Sequence, residues 1–305
     1  MTIQVQLLKI NLLTREVIMK IIKASERKRE DKGAKIVITG ESGVGKTSLL
    51  YTIPEKKTLF MDFEAGDLAL EKNGGWEGDP CRPATWPEAR HWACYYGGPN
   101  PSLSAGPYSQ EHYDWVVKEL GNPESVIDKY DTLFIDSITV AGRLCFRWCR
   151  QQDEAQANGK INKFGAYGLL GSEMMDWLSQ LQHIRNKNII FVGILDSYTD
   201  DFNQKVYSLQ IEGAKTGREL PGIVDEVITM RINQDDTGNS WREFVCHTDN
   251  EWGFPAKDRS GLLNLVEEPH LGKLLDKLLG SKGTIKQEFN HSIPNTQQTE
   301  NREVI

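Results

Sequence analysis

Lys35-Ile36-Val37-Ile38-Thr39-Gly40-Glu41-Ser42-Gly43-Val44-Gly45-Lys46-Thr47-Ser48-Leu49-Leu50-Tyr51 is the stretch on which the fold turns. An apolar, β-branched run leads into glycine, four residues, glycine, lysine and threonine, and a helical pattern follows. That is the spacing of a phosphate loop. Gly40 and Gly45 permit a backbone path that turns successive N–H groups toward an anion, so Glu41, Ser42, Gly43, Val44 and Ser48 belong to the cradle with them. Lys46 is then expected to reach the β- and γ-phosphates of a nucleoside triphosphate, and the Thr47 hydroxyl to ligate Mg²⁺. ATP is the expected nucleotide. The overlapping Gly43-Val44-Gly45 is no dinucleotide fingerprint, because Ser48 stands where the third glycine is needed.

Three further apolar runs, Leu59-Phe60-Met61, Leu133-Phe134-Ile135 and Ile189-Ile190-Phe191-Val192, alternate with helical patterns. The rhythm predicts an α/β fold, a mainly parallel sheet flanked by helices. Polar or glycine-rich segments follow each run, which places functional residues at the carboxyl edge of the sheet. Asp136 ends one run and is the expected metal-side carboxylate; a helix N-cap is its other reading. Asp62 and Glu64 follow another, spaced to point to one side of an extended chain, so one of them is expected near the γ-phosphate. Farther on, Asp235-Asp236-Thr237-Gly238-Asn239 between two strand-like runs predicts a hairpin and C-terminal antiparallel strands.

Residues 1–33 read as an N-terminal leader in which Met19 offers a second plausible start, 34–280 as one ATPase domain with an insertion at 73–123, and 281–305 as a disordered tail. No apolar stretch approaches membrane-spanning length, no secretion signal is visible, and five cysteines form no framework of pairs, so a cytoplasmic protein with reduced thiols is expected. A net charge of -7 gives no general nucleic-acid signature. The stripe Met174, Met175, Trp177, Leu178 and Leu181 has helical spacing and reads as core. Cys145 with Cys149, and Cys81 with His91 and Cys94, lack the second half of a metal site and read as ordinary packing.

Phe60-Met61-Asp62-Phe63-Glu64 and Ile135-Asp136-Ser137 resemble the catalytic-glutamate and metal-side motifs of RecA-like ATPases, which implies that Glu64 is the general base. The more specific resemblance, over about residues 34–265, is to the Sak-type single-strand annealing proteins of bacteriophages. It is carried by the phosphate loop, Phe60 to Gly66, Thr132 to Ser137, Phe164 to Leu181, Gly217 to Val227 and Pro255-Ala256-Lys257-Asp258-Arg259. It implies single-stranded DNA as a partner, self-assembly into a filament or ring, and a single-strand binding protein as a further partner, in a bacterial or phage-infected cell. Where RecA proteins carry a polar sensor this sequence reads Gly193-Ile194-Leu195-Asp196, leaving Asp196 as the one polar candidate nearby. Lys257-Asp258-Arg259-Ser260-Gly261 resembles a segment of RecA-fold helicases whose lysine and arginine reach a neighbouring subunit's γ-phosphate; a solvated basic turn is the other reading.

Two segments correspond to the DNA loops of RecA-like proteins, about 150–167 with Arg150, Lys160, Lys163, Phe164 and Tyr167, and about 197–217 with Tyr198, Lys205, Tyr207 and Lys215. Cations can track phosphates while rings stack on unpaired bases. The expected function is thus an ATPase that pairs or anneals single-stranded DNA as an oligomer. Its rivals are an ATPase motor or switch acting on protein partners and, third, a small-molecule kinase, disfavoured by the absence of an arginine-rich lid.

Overall fold

The computed structural model describes residues 21–71, 75–157 and 160–280. Most of the leader, with Met19, and the tail 281–305 lie outside the described residues. The four apolar runs become β1 (Lys35–Gly40), β2 (Thr58–Asp62), β4 (Thr132–Asp136) and β5 (Asn188–Thr199), with the short β3 (Asp79–Cys81) between the second and third. They pair in parallel, Ile38 opposite Val192 and Met61 opposite Ile135. Later strands are β6 (Lys205–Gln210), β7 (Glu226–Gln234), β8 (Ser240–Val245), β9 (Lys257–Asp258) and β10 (Val266–Glu267). The resulting ten-stranded sheet has the order β10-β8-β7-β1-β5-β4-β2-β3, with β9 on β7 and β6 on β5. β7 is parallel to β1, whereas β6, β8, β9 and β10 pair antiparallel, as expected of the C-terminal part.

Strand alternation sends successive side chains into two apolar layers. Val37, Met61, Ile135 and Phe191 face helices α1 (Trp86–Gly97), α2 (Gln110–Leu120), α3 (Ile138–Cys149), α4 (Lys163–Gln182) and α5 (Ala214–Ile223). Ile36, Ile38, Phe60 and Phe134 face Leu49, Leu50 and α6 (Leu271–Leu279). With both faces covered, central strands must be apolar throughout, which is what the runs showed. Trp177 of α4 is fully buried at the middle of the first layer, its ring against Phe63, Trp86 and Phe191 and its Nε1 donating to the Ala89 carbonyl at 3.1 Å. Met174, Leu178 and Leu181 share its burial, as the stripe predicts.

Some local expectations change. The helix expected after the phosphate loop is a 3₁₀ turn, Thr47–Thr52. Pro54 forces Ile53 out of the helical region, to φ -130 and ψ 158, so only this tight turn fits between loop and strand. Segment 73–123 supplies β3, α1 and α2, with Trp86, Tyr95 and Tyr96 buried in the first layer. Within 150–167, Lys163, Phe164 and Tyr167 stand on the first turns of α4, and most of 197–217 is the β5–β6 ribbon. All five cysteines are free and buried, Cys145 and Cys149 with sulfurs 3.9 Å apart on α3. Among the described residues no helix is long and apolar enough to cross a membrane.

Candidate nucleotide-binding site

β1, β2, β4 and β5 deliver their carboxyl ends to one edge, where a cavity of about 270 Å³ is bounded by Ser42, Gly43 and Gly45 to Ser48 of the loop together with Glu64, Asp136, Ile194 and Arg242. Gly43 and Gly45 have φ of +79 and +103, the left-handed conformations that let the loop curl back on itself. The ammonium of Lys46 folds over this curl, donating to the carbonyls of Gly40 and Glu41 at 2.8 Å each. Burial holds its pKa below the ordinary lysine value, against the pull of Asp136, Glu64 and Glu41.

Asp136 is buried at the end of β4, and the Thr47 hydroxyl donates to its Oδ2 at 2.5 Å. Burial pushes its carboxyl up to about 6; the Thr47 hydrogen bond and Lys46 oppose the rise, and the neighbouring charges of Glu64 and Asp62 add to it. The helix-cap alternative belongs one residue on, since Ser137, whose hydroxyl accepts from the Val140 amide, caps α3. Hydroxyl and carboxylate oxygens converging at the loop are the donor set Mg²⁺ takes alongside phosphate oxygens, and a buried carboxylate with a raised pKa is a charge that a cation would offset. The residues present therefore fit the metal that such loops hold.

Between the paired acids at the end of β2 the geometry chooses. Asp62 is buried, accepts from the backbone N–H of Glu64 at 2.9 Å and of Gly66 at 3.4 Å, and lies 3.5 Å from Arg82 Nε. It shapes the turn, in which Ala65 takes φ +54, a conformation costing an alanine about 1–2 kcal/mol. Glu64 projects into the cavity, with Oε1 accepting from the Ser137 hydroxyl.

Other residues marked in the sequence sit elsewhere. Lys257 and Asp258 pair with Val227 and Glu226 at the start of β7, level with Ile36 at the start of β1, so they occupy the amino edge, away from the loop. The Lys257 ammonium donates to the carbonyls of Pro221 (2.6 Å) and Val224 (2.8 Å), and Arg259 pairs with Asp225 at 3.1 Å and donates to Gly222 O. The chain does not bring either to its own phosphate loop. Asp196 is exposed on β5 opposite Ser208, while apolar Ile194 lines the cavity. Sequence reading missed Arg242 altogether. Its strand was legible, but nothing local shows that β8 passes over the loop.

A glycine-and-lysine loop at the end of one strand, a buried aspartate on a second and a glutamate just beyond a third define a P-loop NTPase of RecA-like fold. Residues 32–260 match the model of a family described as AAA domain, AAA_24, and the chain belongs to that family of ATPases. No curated protein matches it. Solved structures align at low scores. A prototypical ATPase from the type III secretion system of pathogenic bacteria shares 16% identity over 66% of this chain and 51% of its own, with a TM-score of 0.35, so this chain spans about half its length. The RadB recombinase shares 14% over 70% and 80%, TM-score 0.28. The uncharacterised protein PH0321 from Pyrococcus horikoshii, solved with an unknown peptide, shares 11% over 72% and 86%, TM-score 0.34. At these scores none assigns a substrate or partner.

Proposed function

We propose that the protein binds ATP with Mg²⁺, hydrolyses it, and uses the cycle as an oligomer to pair or anneal single-stranded DNA. The observation that carries the first part is the meeting of Lys46, Thr47, Asp136 and Glu64, drawn from three strand ends, around one cavity. On this reading Thr47 and Asp136 hold Mg²⁺, which when bound supplies positive charge against the phosphate oxygens. Lys46 exchanges the carbonyls of Gly40 and Glu41 for β- and γ-phosphate oxygens. Ser137 fixes Oε1 of Glu64, leaving Oε2 to take a proton from the water whose oxygen bonds to the γ-phosphorus as the bond to ADP breaks. Calorimetry with Mg²⁺ and ATP tests this: heat is expected from the intact protein and much less from Lys46→Ala. Absence of heat, or equal heat from both, would sink it.

The DNA reading is supported by the resemblance to Sak-type annealing proteins and by aromatic side chains left in solvent near basic ones. Phe164 on α4 is 92% exposed, Phe202 at the tip of the β5–β6 ribbon is 84% exposed, and Tyr198 on β5 is exposed as well. Such rings suit stacking on unpaired bases. Fluorescence anisotropy with labelled oligonucleotides at low salt, with and without ATP, is expected to show binding, and purified protein to speed annealing of complementary strands. No binding at low salt would refute the DNA part and leave the ATPase part standing. Lys257 and Arg259, remote from their own loop, are assigned to a neighbouring subunit's γ-phosphate in a filament or ring.

A further inference from the structure

Arg242 stands in β8 between Trp241 and Glu243, and strand alternation puts those two on one face and Arg242 on the other. The first face is pinned. Glu243 accepts from Arg231 Nη2 at 2.5 Å, from Asn233 Nδ2 at 3.2 Å and from Trp241 Nε1 at 3.0 Å, and the Arg231 guanidinium lies 3.5 Å from the Trp252 ring centroid. With its neighbours fixed, Arg242 projects over the phosphate loop. Its Nε donates to the Val44 carbonyl at 2.6 Å and would stand 3.1 Å from a Cβ at Gly45, so the missing side chain there is what admits the guanidinium. Among the described residues no protein acceptor engages its two Nη atoms, and Arg242 borders the same cavity as Lys46, Thr47, Glu64 and Asp136.

A guanidinium keeps its charge at every working pH and offers donors on two edges. Nε is committed to Val44. The Nη pair remains, fixed at the mouth of a cavity already floored by a phosphate loop, and paired N–H groups of this kind match phosphate oxygens. We propose that Arg242 is a phosphate-binding residue acting in cis: anchored through Nε to the loop it covers, it gives its Nη edge to an oxygen of the bound polyphosphate. The inference rests on the nucleotide reading above and adds a cation supplied by the antiparallel extension of the sheet. Arg242 also ties the β7–β8 hairpin to occupancy of the loop, since one side chain touches both.

The test is calorimetry with Mg²⁺ and either ATP or inorganic tripolyphosphate, on the intact protein and on Arg242→Ala, Arg242→Gln, Arg242→Lys and Lys46→Ala. Loss of one charge-assisted contact is expected to weaken both ligands about 10- to 100-fold in Arg242→Ala. Glutamine can still donate to the Val44 carbonyl but carries no charge, so it is expected to behave like alanine, while lysine recovers part of the affinity. The melting midpoint without ligand should stay close to that of the intact protein in all three. Intact-like affinity in Arg242→Ala, with Lys46→Ala impaired, would overturn this inference and leave ATP binding in place. Affinity retained by glutamine and lost by alanine would show a loop brace only, and loss for ATP without loss for tripolyphosphate would place the guanidinium on the nucleoside; either result overturns it. No heat from the intact protein removes both readings together.

Discussion

Asp136→Asn should stabilise the protein in the absence of nucleotide while weakening its hold on Mg²⁺ and ATP. The carboxyl is buried and its pKa in the fold is about 6, against an ordinary 3.8. Two units at about 1.4 kcal/mol each amount to about 3 kcal/mol of strain on the ionised form. Between those two pH values the folded chain holds a proton that the unfolded chain has released, so stability falls as pH rises through the window. Below it the carboxyl is protonated in both states and the effect vanishes; above it the full cost applies. Asparagine carries no charge and can still accept from Thr47. Thermal or urea unfolding without nucleotide should therefore show the variant level with the intact protein near pH 3 and about 2–3 kcal/mol more stable at pH 7.5, several degrees in midpoint for a chain of this size. A variant less stable at pH 7.5, or an offset equal at both pH values, would refute the reasoning, because the cost would then not arise from a buried charge.

Glu64→Gln keeps the Ser137 contact but cannot take a proton, so ADP formation is expected to fall by about 10²–10⁴-fold with ATP binding by calorimetry unchanged. Trp177→Ala empties the middle of one apolar layer, which should cost about 3–5 kcal/mol in urea unfolding; a loss under about 1 kcal/mol would mean the layer closes over the gap. For Arg259, mixing Arg259→Ala with Lys46→Ala subunits, each inactive alone, should restore ATP hydrolysis if the arginine serves a neighbour. A mixture as inactive as its parts would count against action across subunits.

The phosphate loop and the strand runs were legible because both are local: a turn that only glycine can make, and strands covered on two faces that must be apolar throughout. Spacing alone left Asp62 and Glu64 open, since two residues apart in an extended chain share a side until a turn separates them, and only the motif resemblance pointed to Glu64. That turn depends on Ala65 in a left-handed conformation, which no residue-type preference announces. Segment 73–123 hid its helices among glycine, proline and tryptophan. Even so, Thr85, Pro87 and Glu88 form a helix-start signature that could have been read: the Thr85 hydroxyl accepts from the Glu88 amide, and proline sits in the first turn. Arg242 was out of reach of any such reading. Its importance comes from Val44, 198 positions away in the chain, and only the order of the strands brings the two together.

The β5–β6 ribbon has a mechanical property of its own. At its base Ile194 borders the phosphate cavity, its amide donating to the Thr139 hydroxyl at 3.1 Å, and that hydroxyl donates to the Gln210 carbonyl at 2.7 Å. Both arms are thus bolted to the opening turn of α3, three residues beyond Asp136. From there the paired arms run unbroken from Ile194 to Thr199, about 17 Å, toward a tip bearing Phe202. A beam clamped at one end and free at the other converts a small tilt at its root into a larger sweep at its tip. Any change that rocks the first turn of α3 would therefore be read, magnified, by whatever rests against Phe202.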